Sequence, residues 1–274
     1  GSGRLTSFGI NDKRQEAMQV IEKQNPAVVS MRNIPPVIAG LRDIRNKVIL
    51  DADFSENAGN KVLDQSGYRQ HGTITGASRS CDPFFTSLLK FDGIDDRVDF
   101  GTFQRFKNIA GSFSLCALYK RSIKDTVNAD GIMGNWYWTS DGSLRRGAVL
   151  RYYINQNSVS VIVEVTNGSG IEERQVSTDA PKLNRWYFVV GSFNSSDRKV
   201  RLYLDGKLKG TNTASAGFDR PRLDGPTNFY VGYNPVNSGY FPGEVAWARV
   251  YEKALSDAQV RILFMWLKKK YRMV

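Results

Sequence analysis

The side chains able to carry chemistry in this chain are few in kind: carboxylates, one histidine, two cysteines and a scattering of aromatic rings. His71 is the only histidine, and Cys81 and Cys116 are the only cysteines. A zinc site takes three or four Cys or His ligands, so neither a thiolate cluster nor a two-histidine metal motif can be built. A serine-histidine triad would have to run through His71, which reads as a loop or turn residue with a satisfied side chain. Carboxylates alone can support glycoside hydrolysis, but a retaining mechanism needs two of them about 5 Å apart. Glu172 and Glu173 are adjacent and point to opposite faces of a strand, and Glu244 is followed by Val245, Ala246 and Trp247. The chain is therefore read as a non-enzyme.

The rings point to a ligand surface. Trp136, Tyr137 and Trp138 lie in a stretch rich in Gly, Asn and Ser, the composition of a loop, where three rings are hard to bury together. Sugars stack their apolar faces on such rings while Asn, Asp and Arg bond their hydroxyls. Tyr233, Asn234 and Tyr240 are the expected additions to this surface. Tyr152 and Tyr153 alternate faces of a strand, so one of them at most can join it.

These residues must be positioned by β-strands. The chain has 274 residues, 41% apolar and 24% charged, enough for a packed core and far from disorder. No apolar run approaches the roughly 20 residues of a membrane span. Short strands rich in Val, Ile, Leu, Phe and Tyr are expected at 48–52, 88–91, 97–100, 112–120, 148–154, 159–165, 186–193, 200–204, 229–232 and 244–251. Asp205-Gly206 predicts a tight hairpin turn with positive φ at both residues, with Val200, Leu202 and Leu204 on one face and Arg201 and Tyr203 on the other. Many strands with no helix between them predict a mainly β fold, a two-sheet antiparallel jelly-roll sandwich. One helix closes the chain: Ser256 to Gln259 form a capping box, Leu255 and Val260 a staple, and Val260, Leu263, Phe264, Leu267 and Tyr271 one apolar stripe.

The first fifty residues differ. Residues 11–24 have helical spacing, with Ala17, Met18 and Ile21 on one side; beyond them Pro26, Pro35 and Pro36 break any regular element. Two units are thus expected: a helix and extended contact arm over 1–46, and a sandwich with its terminal helix over 47–274. The net charge of +11 is concentrated at the ends: residues 1–50 hold eight Lys/Arg against four Asp/Glu, 265–274 hold four against none, and 51–264 hold 26 against 23. A nearly balanced body argues against a specific nucleic-acid groove. The ends read as contacts for an acidic partner or as solvated tails. The start, Gly1-Ser2-Gly3-Arg4, shows no signal peptide.

The order of motifs resembles the laminin G-like, concanavalin A-like jelly-roll family. Val62-Leu63-Asp64-Gln65-Ser66-Gly67 followed by His71-Gly72-Thr73-Ile74 is similar to the family's Asp-x-Ser-Gly opening and Gly-Thr strand. Phe91-Asp92-Gly93-Ile94-Asp95-Asp96-Arg97-Val98 is similar to its Phe-Asp-Gly-x-x-Asp-x-Val element, and Ser112-Phe113-Ser114-Leu115 to the next strand, with Ala117-Leu118 where a Trp is usual. Arg185-Trp186-Tyr187-Phe188-Val189, the hairpin 200–207, the strand 243–251 and Lys253-Ala254-Leu255-Ser256 with its helix complete the series over residues 47–272.

The resemblance implies a binding or surface module. Its hydrolase branch carries a Glu-x-Asp-x-x-Glu strand, which this chain lacks. The family often holds a structural Ca²⁺, for which Asp64 and Asp92 are the candidate ligands, with Asp95 and Asp96 crowding the second turn; the competing reading has Asp64 and Asp92 capping turns. Recognition of a glycan or other cell-surface ligand is the expected function. The alternative is a phage virion or surface-assembly protein whose jelly roll decorates a particle while residues 1–46 bind neighbouring subunits. Either places the protein outside the cell or on a cell or virion surface.

Overall fold

The computed structural model describes residues 44–56, 58–122, 129–153, 157–179 and 181–271. The helix expected at 11–24 and nearly all of the arm over 1–46 lie outside the described residues. Two antiparallel sheets face each other, with the C-terminal helix on the outer side of the first.

The first sheet runs Lys207–Thr213, Lys199–Leu204, Trp186–Asn194, Phe113–Arg121, Pro242–Tyr251, Leu88–Asp92 and Ser78–Ser80, with Val48–Ala52 paired to Pro242–Tyr251. The second runs Ile171–Asp179, Ser158–Thr166, Ala148–Tyr153, Ala129–Gly134, Tyr230–Val231, Arg97–Asp99, Gly72–Thr75 and Lys61–Val62, with Arg220–Pro221 paired to Ser158–Thr166. Two small ribbons, Tyr137–Trp138 with Arg145–Arg146 and Tyr233–Asn234 with Gly239–Tyr240, complete the sheets.

Alternation along the strands builds two cores. Leu115, Ala117 and Tyr119 join Val189, Val200, Leu202, Leu150, Val161 and Val163 between the sheets. Cys116, Leu118, Phe188, Val190, Tyr203 and Trp247 point the other way and are covered by Leu255, Val260, Leu263 and Leu267 of the helix Asp257–Tyr271. Ile44, where the described chain begins, is buried in this second core.

Local signals hold in detail. Asp205 and Gly206 have φ of 50° and 75°. Gln259 N donates to Ser256 Oγ at 3.3 Å while Ser256 N donates to Gln259 Oε1 at 3.0 Å, the reciprocal bonds of a capping box. Cys81 and Cys116 are both free, one exposed and one buried. No helix among the described residues is long and apolar enough to cross a membrane.

Candidate functional site

The outer face of the second sheet gathers most of the rings singled out in the sequence. Along Ser158–Thr166, Val159, Val161, Val163 and Val165 enter the main core, so Ser160, Ile162 and Glu164 face outward. In Ala148–Tyr153 the same rule turns Val149, Arg151 and Tyr153 outward. Trp136 lies on this face against Val149, Ile162 and Val236. It is buried, which corrects the expectation of a solvent-open loop ring: a small apolar cluster outside the sheet receives it.

Trp138, 37% exposed, stands beside Trp136 with ring centroids 5.8 Å apart, and Tyr137 is partly buried. Guanidinium groups interleave with the rings. Arg151 lies 5.1 Å from the Trp136 ring and 4.6 Å from that of Tyr153, and Arg145 lies 5.3 Å from Trp138 while pairing with Glu173 at 3.5 Å.

The second group of predicted residues shares this face. The ribbon formed by Tyr233–Asn234 and Gly239–Tyr240 crosses Gly131, where a Cβ would come within 2.3 Å of the Tyr233 carbonyl carbon. Only glycine permits that approach. Val236 ties the ribbon to the Trp136 cluster. Tyr233 stacks on Tyr240 at 4.6 Å and meets Tyr230 edge-on at 5.1 Å, all three rings half-buried. Asn234 is buried, its Oδ1 accepting from Val236 N at 3.3 Å, so it shapes the turn instead of facing a ligand.

Glu164 went unremarked in the sequence. It is fully buried and accepts from Trp136 Nε1 at 3.0 Å through Oε1, while Oε2 has no partner. Burial pushes its carboxyl up to about 7, the nearby Glu173 adding to the rise, against the Trp136 bond and Arg145 and Arg222. Glu164 and Glu173 are direct cross-strand partners, so the sheet does bring two carboxylates together, though they are nine residues apart in the chain. Glu164 is buried behind its bond from Trp136, while Glu173 stays partly exposed.

The carboxylates expected to hold Ca²⁺ fall in two places. Asp64 receives four bonds: from Asp51 N, Ser66 N, Ser66 Oγ and Gln70 N, at 2.8–3.0 Å. Its own N–H donates to His71 Nδ1 at 3.0 Å. Both oxygens are committed to the turn, which favours the capping role over the ligand role.

Asp92 instead joins Asp95 and Asp96, with ligand atoms within 4.8 Å of one another. Burial raises the carboxyl of Asp96, the bond from Asp92 N opposes the rise, and the charges of Asp92 and Asp95 add to it. Gly76, at φ +74°, leaves room for it: a Cβ there would lie 2.0 Å from Asp96 Oδ1. A crowded, partly desolvated set of oxygens suits a hard cation. We expect Ca²⁺ to stabilise the native protein by about 1.4 kcal/mol at ten times Kd, and Asp96→Asn to abolish the effect. Identical melting curves with Ca²⁺ and with EDTA would leave this group as a hydrogen-bonded turn.

Solved structures share the architecture. The binding domain of botulinum neurotoxin serotype D superposes with a TM-score of 0.61 at 18% identity, covering 83% of this chain and 52% of that one. The binding domain of botulinum neurotoxin DC in complex with rat synaptotagmin II gives 0.60 at 16% identity, covering 82% and 52%. Trypanosoma rangeli sialidase, solved with a difluoro-KDN sugar, gives 0.56 at 20% identity, covering 81% and 33%. The chain thus spans about half the length of the toxin domains and a third of the sialidase. No curated protein sequence matches it. At these identities the structures speak to fold alone, while the sequence itself fits the Laminin_G_3 family model over residues 92–261; the chain belongs to the concanavalin A-like lectin/glucanases superfamily.

Proposed function

We propose that the protein is a non-enzymatic binding module that takes a glycan on the outer face of its second sheet. The observation that carries this is the alternation of partly exposed rings and charged groups there: Trp138, Tyr153, Tyr233 and Tyr240 with Arg145 and Glu173, Arg151 lying buried against the rings. Rings supply flat apolar surface, and the guanidinium and carboxylate groups supply directional bonds to hydroxyls. Trp136, Val236 and Asn234 hold the face in shape from below. Arg97 adds a cation beside the tyrosines: Tyr230 and Tyr240 have pKa values raised first by burial, with Arg97 pulling the other way.

The superfamily includes lectins and glucanases, and the covered state of Glu164 favours the former. A ligand displayed on a cell or particle surface fits a module of this kind, and the botulinum neurotoxin DC binding domain, which shares the fold, is solved in complex with a protein ligand, rat synaptotagmin II.

The reading is tested on a glycan array followed by titration of the strongest hit. Trp138→Ala and Tyr240→Ala are each expected to weaken binding by roughly 1 to 3 kcal/mol while leaving the melting temperature nearly unchanged, because both rings are partly solvent-exposed. An array on which nothing binds, or variants that bind as tightly as the parent, would remove this face from consideration.

A further inference from the structure

Charge that composition assigns to the end of the chain meets charge from the middle of it. The C-terminal helix packs beside the Asp205-Gly206 turn, and the fit is close: a Cβ on Gly206 would lie 3.0 Å from Phe264 Cδ1. A cleft of about 580 Å³ opens between helix and turn, with Phe264, Trp186 and Tyr187 on its walls and Phe84, 40% exposed, at its rim. Trp186 is held in place by a bond from Nε1 to Asp82 Oδ2 at 2.8 Å.

Four cations line this cleft: Arg185 just before the strand Trp186–Asn194, Lys207 and Lys209 from the strand Lys207–Thr213, and Lys268 from the helix. A single carboxylate, Asp205, stands among them. It accepts from Phe188 N at 3.0 Å and pairs with Arg185 at 3.5 Å. Among the described residues Lys207, Lys209 and Lys268 make no ion pair of their own. Lys209 and Lys268 act on Asp205 through space, together with Arg185, so four cations face one carboxylate, and the excess positive charge in this partly apolar cleft favours an entering anion.

We infer that this cleft is a second binding site, for an acidic polysaccharide whose sulfate or carboxylate groups meet Lys207, Lys209 and Lys268 while its ring faces lie on Phe84 and Phe264. The cations surround one cleft instead of following a stripe, and the body of the chain, residues 51–264, is almost balanced at 26 Lys/Arg against 23 Asp/Glu. A nucleic acid tracked along its phosphates needs an extended basic face. The cleft opens where the C-terminal helix meets the Asp205-Gly206 turn of the first sheet and shares no lining residue with the ring face, so the two sites stand or fall separately.

The experiment is calorimetric titration of the full chain with a dextran sulfate oligosaccharide and an oligogalacturonate, beside neutral dextran and a single-stranded oligonucleotide. At least one acidic sugar binds, more weakly as salt rises, and neutral dextran does not; the better of the two names the anionic group. Lys207→Gln combined with Lys209→Gln, both exposed hairpin positions, weakens binding about tenfold. Lys61→Gln combined with Lys90→Gln removes the same charge elsewhere and changes affinity by less than about twofold. Equal losses in the two lysine pairs, tighter binding of the oligonucleotide than of either sugar, or no binding of either acidic sugar would overturn the assignment.

Discussion

Replacing Asp51 by Ala is expected to destabilise the protein by about 3–5 kcal/mol, the cost of leaving a buried partner charge uncompensated. Asp51 and Arg249 are cross-strand neighbours beneath the C-terminal helix, and both are buried. Arg249 Nη2 reaches Asp51 Oδ2 at 2.6 Å and Nε reaches Oδ1 at 3.0 Å, a two-pronged pair, while Trp247 Nε1 donates to Oδ1 at 3.1 Å and Arg249 Nη1 to the Tyr251 hydroxyl at 3.1 Å. The attraction of Asp51 holds the guanidinium charged despite its burial. Removing the carboxylate therefore strands a cation and an indole N–H in an apolar layer.

At this size the loss corresponds to a fall in melting temperature on the order of 10 °C. Asp51→Leu combined with Arg249→Met should recover part of it, since the double variant removes the stranded cation while the Trp247 N–H stays without its acceptor. Urea and thermal denaturation of the single and double variants check this. A single variant within about 1 kcal/mol of the parent would mean that water or a neighbouring acid reaches Arg249.

That pair marks a boundary of what the chain discloses before it folds. Strands with apolar runs and turn residues at their ends are legible: Val48–Ala52, Trp186–Asn194 and Lys199–Leu204 lie where their β-rich composition puts them. Ile171–Asp179 is not, because an edge strand can be polar on both faces, and its sequence IEERQVSTD has no periodic apolar set. Ala129–Gly134 is hidden for another reason. It carries Gly131 and Gly134, residues unfavourable in a strand interior, and the first is required because the ribbon at Tyr233 crosses it almost in contact.

Of the site, ring positions were legible and their burial was not. Trp136 and Trp138 are two apart and sit in similar composition, yet one is sealed and the other half open, a difference set by Val149, Ile162 and Val236 from three distant segments. The same holds for the basic cleft: nothing local to Lys268 indicates that it faces Lys207 and Lys209.

Glu164 did leave a signal, a lone acid inside the apolar run of Ser158–Thr166, and its consequence is a pH dependence. Its carboxyl rises from an ordinary value of 4.5 to about 7 in the native state. Between those values the native protein keeps a proton that the unfolded chain has lost. Stability is thus greatest below pH 4.5 for this group, falls as pH rises through the window, and levels off above pH 7. The total is about 3 kcal/mol on the usual conversion of pKa shift to free energy.

Glu164→Gln isolates this contribution from other titrating carboxyls such as Asp96 and Asp205. Glutamine has no proton to lose, and its carbonyl can still accept from Trp136 Nε1. The variant is expected to lose less stability than the parent between pH 5 and pH 8, with the gap closing or reversing in the variant's favour at the alkaline end. Trp fluorescence supplies a second reading, since a charged Glu164 with an unpartnered oxygen loosens the covering Trp136 ring in the parent alone. Parallel pH profiles for the two proteins would show that Glu164 is ionised at ordinary cost, through water or through Arg145 and Arg222, and that the apolar cluster above it is less closed than its packing implies.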